Sequence, residues 1–126
     1  GDKHMAGRNV LQQALGLLGY QNMEELTGQS EILQRGLMAV NQIYADLHYI
    51  TTLRPHQPLA GLSEELLLPE RAAVDIMPYG VAMLLAQTES DGDNQQLFAE
   101  LYNRKRSSLS RTDWIQDVMP LGGLVE

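Results

Sequence analysis

Leu33, Leu37, Val40, Tyr44 and Leu47 recur at intervals of 4, 3, 4 and 3 residues. That spacing places all five side chains on one face of an α-helix and scatters them over both faces of a strand. A long amphipathic helix must bury its apolar face against other elements, so the segment commits the chain to helix packing. Ser30 can cap the exposed N–H groups, and Glu31 suits the positive end of the helix dipole. The helix is therefore expected from Gln29 or Ser30 to about His48.

Three further segments repeat the pattern. Val10, Leu11, Ala14, Leu15 and Leu18 form one face of a first helix ending at Gly19, and residues 23–28 read as a loop or a single turn. Ala73, Met77, Gly80, Val81, Leu84, Leu85 and Thr88 keep one phase across Pro78, which predicts a kinked helix or two short helices abutting at Met77. Leu68-Pro69-Glu70 carries the start signal for that segment. Asp93 as N-cap with Gln96 three residues later predicts the start of a last helix, whose face is Leu97, Phe98, Leu101, Tyr102 and Leu109. Between Tyr49 and Leu68 neither period survives. Pro55 and Pro58 mark a long connection, with a short extended piece expected at residues 50–53.

The expected architecture is all-α: a small four-helix domain over residues 6–111, a long middle loop, and an extended apolar C-terminal tail over residues 112–126. Residues 1–5, Gly-Asp-Lys-His-Met, read as a cloning remnant. At 126 residues the chain can bury roughly two thirds of its unfolded surface, enough for a core without metal or crosslinks. With no cysteine there is no disulfide, thiolate nucleophile or Cys-ligated metal. A net charge of −7 disfavours affinity driven by phosphate contacts. No apolar run approaches the roughly 18 to 20 residues of a membrane span.

No constellation for catalysis, a cofactor or a metal emerges. His48 and His56 flank the loop without helical metal-ligand spacing, and read as surface or helix-end histidines. Glu89, Asp91, Asp93 and Glu100 mimic positions 1, 3, 5 and 12 of a calcium loop, but Asn94 stands where that loop requires glycine. Arg104, Lys105, Arg106 and Arg111 form the basic cluster of the chain, beside Ser107, Ser108 and Ser110. A solvated helix end accounts for it; contact with an acidic partner or with DNA is the alternative. The tail, with Trp114, Ile115, Val118, Met119 and Leu121, either folds back on the helices or docks on another subunit or protein, Trp114 being the natural anchor.

Ala14-Leu15-Gly16-Leu17-Leu18-Gly19 and the run from Leu37 through Asn41 to Leu47 resemble the first two helices of small head-to-tail connector proteins of tailed bacteriophages. Leu68-Pro69, Tyr79-Gly80-Val81-Ala82, Leu85-Ala86, Gly92-Asp93 and Tyr102 with Arg106 are similar to the later part of the same pattern. The resemblance spans about residues 10–110. It implies a non-catalytic virion protein, assembled in the bacterial cytoplasm, that forms a ring of possibly twelve copies at the capsid neck. Such a ring joins the portal protein to the next tail or stopper component, and DNA passes through it without sequence-specific binding.

An acidic surface suits a lumen that must not grip DNA. On this reading Trp114, Ile115, Val118, Met119 and Leu121 contact the portal or a neighbouring copy. The loop from Ile50 to Leu67, with Arg54, His56 and Leu62, faces the next component or the channel, and Arg104 and Arg106 form a secondary contact. The rival expectation is a small viral DNA-packaging or regulatory factor that binds DNA through Arg104 to Arg111.

Overall fold

The structure is a computed structural model that describes residues 5–26, 28–52 and 57–109. Among these residues it is all-α, with helices α1 (Gly7–Leu17), α2 (Met23–Leu26), α3 (Ser30–Thr52), α4 (Met77–Thr88) and α5 (Gly92–Arg106). A π-helical segment, Ala72–Ile76, leads into α4. The single turn α2 makes five α-helices where four were expected. Arg54, His56 and all residues from 110 onward, the tail of residues 112–126 included, lie outside the described residues.

Helix α4 is the centre, with α1, α3 and α5 packed around it. Its Met77, Pro78, Gly80, Val81, Ala82, Leu85 and Ala86 are all buried, as a helix with neighbours on several sides requires. At Gly80 the three longer helices come closest: a Cβ there would lie 2.8 Å from both Ile43 Cδ1 on α3 and Tyr102 Cε1 on α5. Only a residue without a side chain permits that approach.

Helix α1 closes as the sequence suggests. Gly19 adopts φ +92°, so its N–H bonds to the Gly16 carbonyl and that of Tyr20 to the Leu15 carbonyl, both at 3.0 Å. This is the Schellman arrangement that glycine favours after a helix. At the other end, Gly7 and Arg8 donate to the Glu64 and Leu62 carbonyls at 3.1 and 2.8 Å. The middle connection thus supplies acceptors for N–H groups that a helix start leaves without partners.

Three expectations are corrected. Residues 50–52 continue α3 and are not extended: Thr51 Oγ1 donates to the Leu47 carbonyl at 3.0 Å and Thr52 Oγ1 to the His48 carbonyl at 2.8 Å, so both hydroxyls find acceptors within the helix itself. The N-cap of α5 is Asp91, whose Oδ1 accepts from the Asn94 N–H at 3.2 Å; Asp93 lies inside the first turn. Leu109 is buried but sits beyond the helix, which ends at Arg106.

Pro78 is accommodated by a widened turn before α4, where the Met77 N–H reaches back to the Ala72 carbonyl, five residues away. Proline has no N–H and its ring crowds the carbonyl four residues earlier, which an α-helical turn would leave facing it. One extra residue in the preceding turn moves that carbonyl aside, and the helical path continues from residue 70 without a break.

Candidate interaction surface

The described part of the middle connection is tied to the helices at several points. The Asn41 side chain on α3 grips the backbone of Leu59 twice, Oδ1 accepting from the Leu59 N–H at 2.7 Å and Nδ2 donating to its carbonyl at 3.0 Å. Eight residues on, the Leu67 N–H donates to Tyr44 Oη at 3.0 Å. Leu59, Leu62, Leu66 and Leu68 point into the core. Leu62, expected on a partner face, is only 8% exposed and its carbonyl accepts from Arg8, so it is a core residue. Leu67 is the large apolar side chain that the described connection leaves exposed.

Arg106 is likewise not available for a partner in the way expected. Its Nε and a terminal nitrogen donate to the two oxygens of Asp46 at 2.6 and 2.8 Å, and Tyr102 Oη donates to the same carboxylate at 2.6 Å. A two-pronged pairing of this kind fixes direction as well as charge. Partial burial alone would raise the Asp46 pKa, but the hydrogen bonds from Arg106 and Tyr102 and the Arg106 charge outweigh it and hold the carboxyl below its ordinary value. Burial, together with the carboxylate, pushes the Tyr102 hydroxyl far above the usual tyrosine range. The cluster joins α3 to α5 and gives the packing at Gly80 its polar edge.

The rest of the basic cluster divides. Lys105 Nζ lies 2.9 Å from Asp75 and 4.8 Å from the centroid of the Tyr79 ring, so it bridges α5 to the π-helical segment and α4. Arg104 stays exposed on the last turn of α5. Of the three basic side chains described here, two are committed within the fold, which thins the patch on which DNA binding would depend. His48 packs edge-on against Tyr44 at 5.8 Å. Among the described residues no group of three or more His, Asp or Glu is placed to hold a metal ion.

Two apolar features face outward. The first is the outer face of α3, where Gln34, Met38, Gln42, Ala45 and Tyr49 form a stripe without a charge, and Met38 is 74% exposed. The second is a groove of about 360 Å³ between α1 and α4, lined by Gln13, Gly16, Leu17, Val74, Asp75, Pro78 and Tyr79. Leu17 and Val74, 38% and 42% exposed, form its two lips. Sequence reasoning missed this groove because neither Leu17 nor Val74 belongs to the apolar face read on its own helix, and their meeting across two helices is not encoded locally. Pro78 within an unbroken apolar phase was the available signal. Trp114, Ile115, Val118, Met119 and Leu121, with Arg54 and His56, fall outside the described residues.

Compared with protein-family models, curated proteins and solved structures, the chain finds no match.

Proposed function

We propose that this protein is a head-completion adaptor of a tailed bacteriophage or prophage: a non-catalytic ring component that joins the portal to the tail and lets DNA pass through its lumen. One observation carries the reading. Residues that make up the connector-like pattern, far apart in sequence, meet in space as the joints of a single scaffold. Asn41 holds the middle connection, Gly80 is where α3, α4 and α5 touch, and Tyr102 and Arg106 close on one carboxylate. A pattern distributed in this way describes a fold with a job of shape, and it leaves contact with partners to the surfaces between the joints.

Those surfaces suit heterologous ring contacts, in which one face of a copy meets a different face of the next. The uncharged stripe on α3 offers one such face, and the apolar tail supplies an anchor for the portal or a neighbour. A net charge of −7 keeps passing DNA from adhering.

The test is co-sedimentation with the assembled portal. The full chain is expected to pellet with the portal, and Trp114→Ala to remain folded yet stay in the supernatant. Normal pelleting of that variant removes the tail from the contact. Steeply salt-dependent binding to duplex DNA, with indifference to the portal, would instead favour the DNA-binding rival.

A further inference from the structure

We propose that the groove between α1 and α4 is the seat of this chain's own C-terminal segment, with Trp114 as the side chain that fills it. The proposal rests on where the described chain leaves the fold. Lys105, on the last turn of α5, touches two residues of the groove wall, Asp75 and Tyr79. Just beyond, Arg71 fastens Ser108 by two contacts, its side-chain hydroxyl at 2.8 Å and its carbonyl at 2.9 Å, and Leu109 is buried. The chain therefore departs beside Arg71, one turn before Val74 on the same helical run.

The distances are short. Arg71 to Pro78 is about 10 Å along a helix. Trp114 is five residues beyond Leu109, and five extended residues span up to roughly 17 Å. That length is enough for the indole of Trp114 to reach the groove.

The chemistry agrees. The lips are Leu17 and Val74, the floor includes Gly16 and Pro78, and a groove of about 360 Å³ falls in the range of sites that accept one large side chain or a small ligand. Trp114, Ile115, Val118 and Met119 would otherwise add apolar surface to that already exposed at the lips, and joining the two removes both from water. The chain's own tail is favoured over that of a second copy because a short tether gives an effective concentration on the order of millimolar, well above that of free protein in solution. The proposal does not depend on the adaptor reading, although a partner that takes the tail would have to draw it from this groove.

Trp114 is the one tryptophan of the chain, so its fluorescence reports this segment alone. In the full-length protein its emission is expected to be blue-shifted, and quenching by acrylamide several-fold weaker than in denaturant. Val74→Glu, at an exposed lip, should shift the emission to the red and restore strong quenching while helix content and unfolding midpoint hold. Leu17→Glu is the second variant, should the first disturb folding, and Met38→Glu on the far face of α3 should change nothing. The proposal fails if Trp114 in the unaltered chain is quenched as in denaturant, or if both lip variants leave it shielded. It also fails if the shielding disappears on dilution, which would make the occupant a second copy.

Discussion

Replacing Gly80 by alanine sets two effects of opposite sign against each other. In the interior of a helix alanine is better than glycine by about 1 kcal/mol, so an unobstructed site would gain stability. At Gly80 the new methyl would lie 2.8 Å from Ile43 Cδ1, 2.8 Å from Tyr102 Cε1 and 3.0 Å from Tyr102 Cδ1. Carbon atoms rest at roughly 3.5–4.0 Å, so both neighbours would have to retreat by roughly 0.5–1.2 Å. Ile43 can turn its terminal methyl aside. Tyr102 has no such freedom, because its ring is rigid and its hydroxyl is held 2.6 Å from Asp46, itself gripped by Arg106.

Overpacking costs about 1–3 kcal/mol, and loosening a hydrogen bond to a charged group adds about 1 kcal/mol or more. Less the propensity gain, Gly80→Ala should destabilise by about 1–3 kcal/mol and lower the melting temperature by roughly 4–10 °C. Denaturant unfolding followed by circular dichroism measures it. Gly92→Ala, where no atom lies within 4 Å of the added Cβ, is the control and should be neutral or slightly stabilising. A Gly80→Ala protein more stable than the parent would refute the close meeting of α3, α4 and α5.

Asp46→Asn should cost about 1–2 kcal/mol near pH 7. Because the folded state holds the Asp46 carboxyl below its ordinary value, the stabilisation is present above the unfolded pKa of about 3.9 and is lost as pH falls through the lower folded value. The gap between parent and variant should therefore close below about pH 4, and a gap constant from pH 7 to strong acid would contradict the assignment. Asn41→Ala removes both hydrogen bonds to Leu59 and should cost about 1–3 kcal/mol, with faster amide exchange at Leu59; unchanged exchange there would show that the connection is held by other means. Gly19→Ala should lose about 1 kcal/mol although no atom lies within 4 Å of its Cβ, because φ is +92° there, and equal stability would exclude the left-handed cap.

Much of the helical frame can be read from apolar spacing alone. The seam from Leu33 to Leu47 lies along α3 as expected, with Val40, Tyr44 and Leu47 buried and Leu33 and Leu37 partly buried. Val10, Leu11, Ala14 and Leu15 mark the buried face of α1. Boundaries were less legible where side-chain hydrogen bonds decide them. Thr51 and Thr52 remain helical with their hydroxyls bonded to carbonyls of the preceding turn, and Asp91 outcompetes Asp93 as cap because its carboxylate meets both the N–H and the side chain of Asn94. The middle connection looked like a free surface because its leucines have no period, yet Leu59, Leu62, Leu66 and Leu68 are drawn inward by contacts with α1 and α3 that no local pattern encodes.

The candidate surface was less legible still. Arg104, Lys105 and Arg106 read as one basic patch, but the fold brings Asp75, 30 residues earlier, beside Lys105 and Asp46, 60 residues earlier, beside Arg106, leaving Arg104 exposed. The groove between α1 and α4 is lined in part by the widened turn before Pro78, and its lips, Leu17 and Val74, belong to neither apolar face read from the sequence.

The most direct measurement is the native mass of the purified chain, alone and mixed with the portal protein of the same phage or prophage. The adaptor reading predicts a ring, or a monomer that joins the portal in a fixed multiple matching its symmetry. A monomer that leaves the portal's mass unchanged would contradict it.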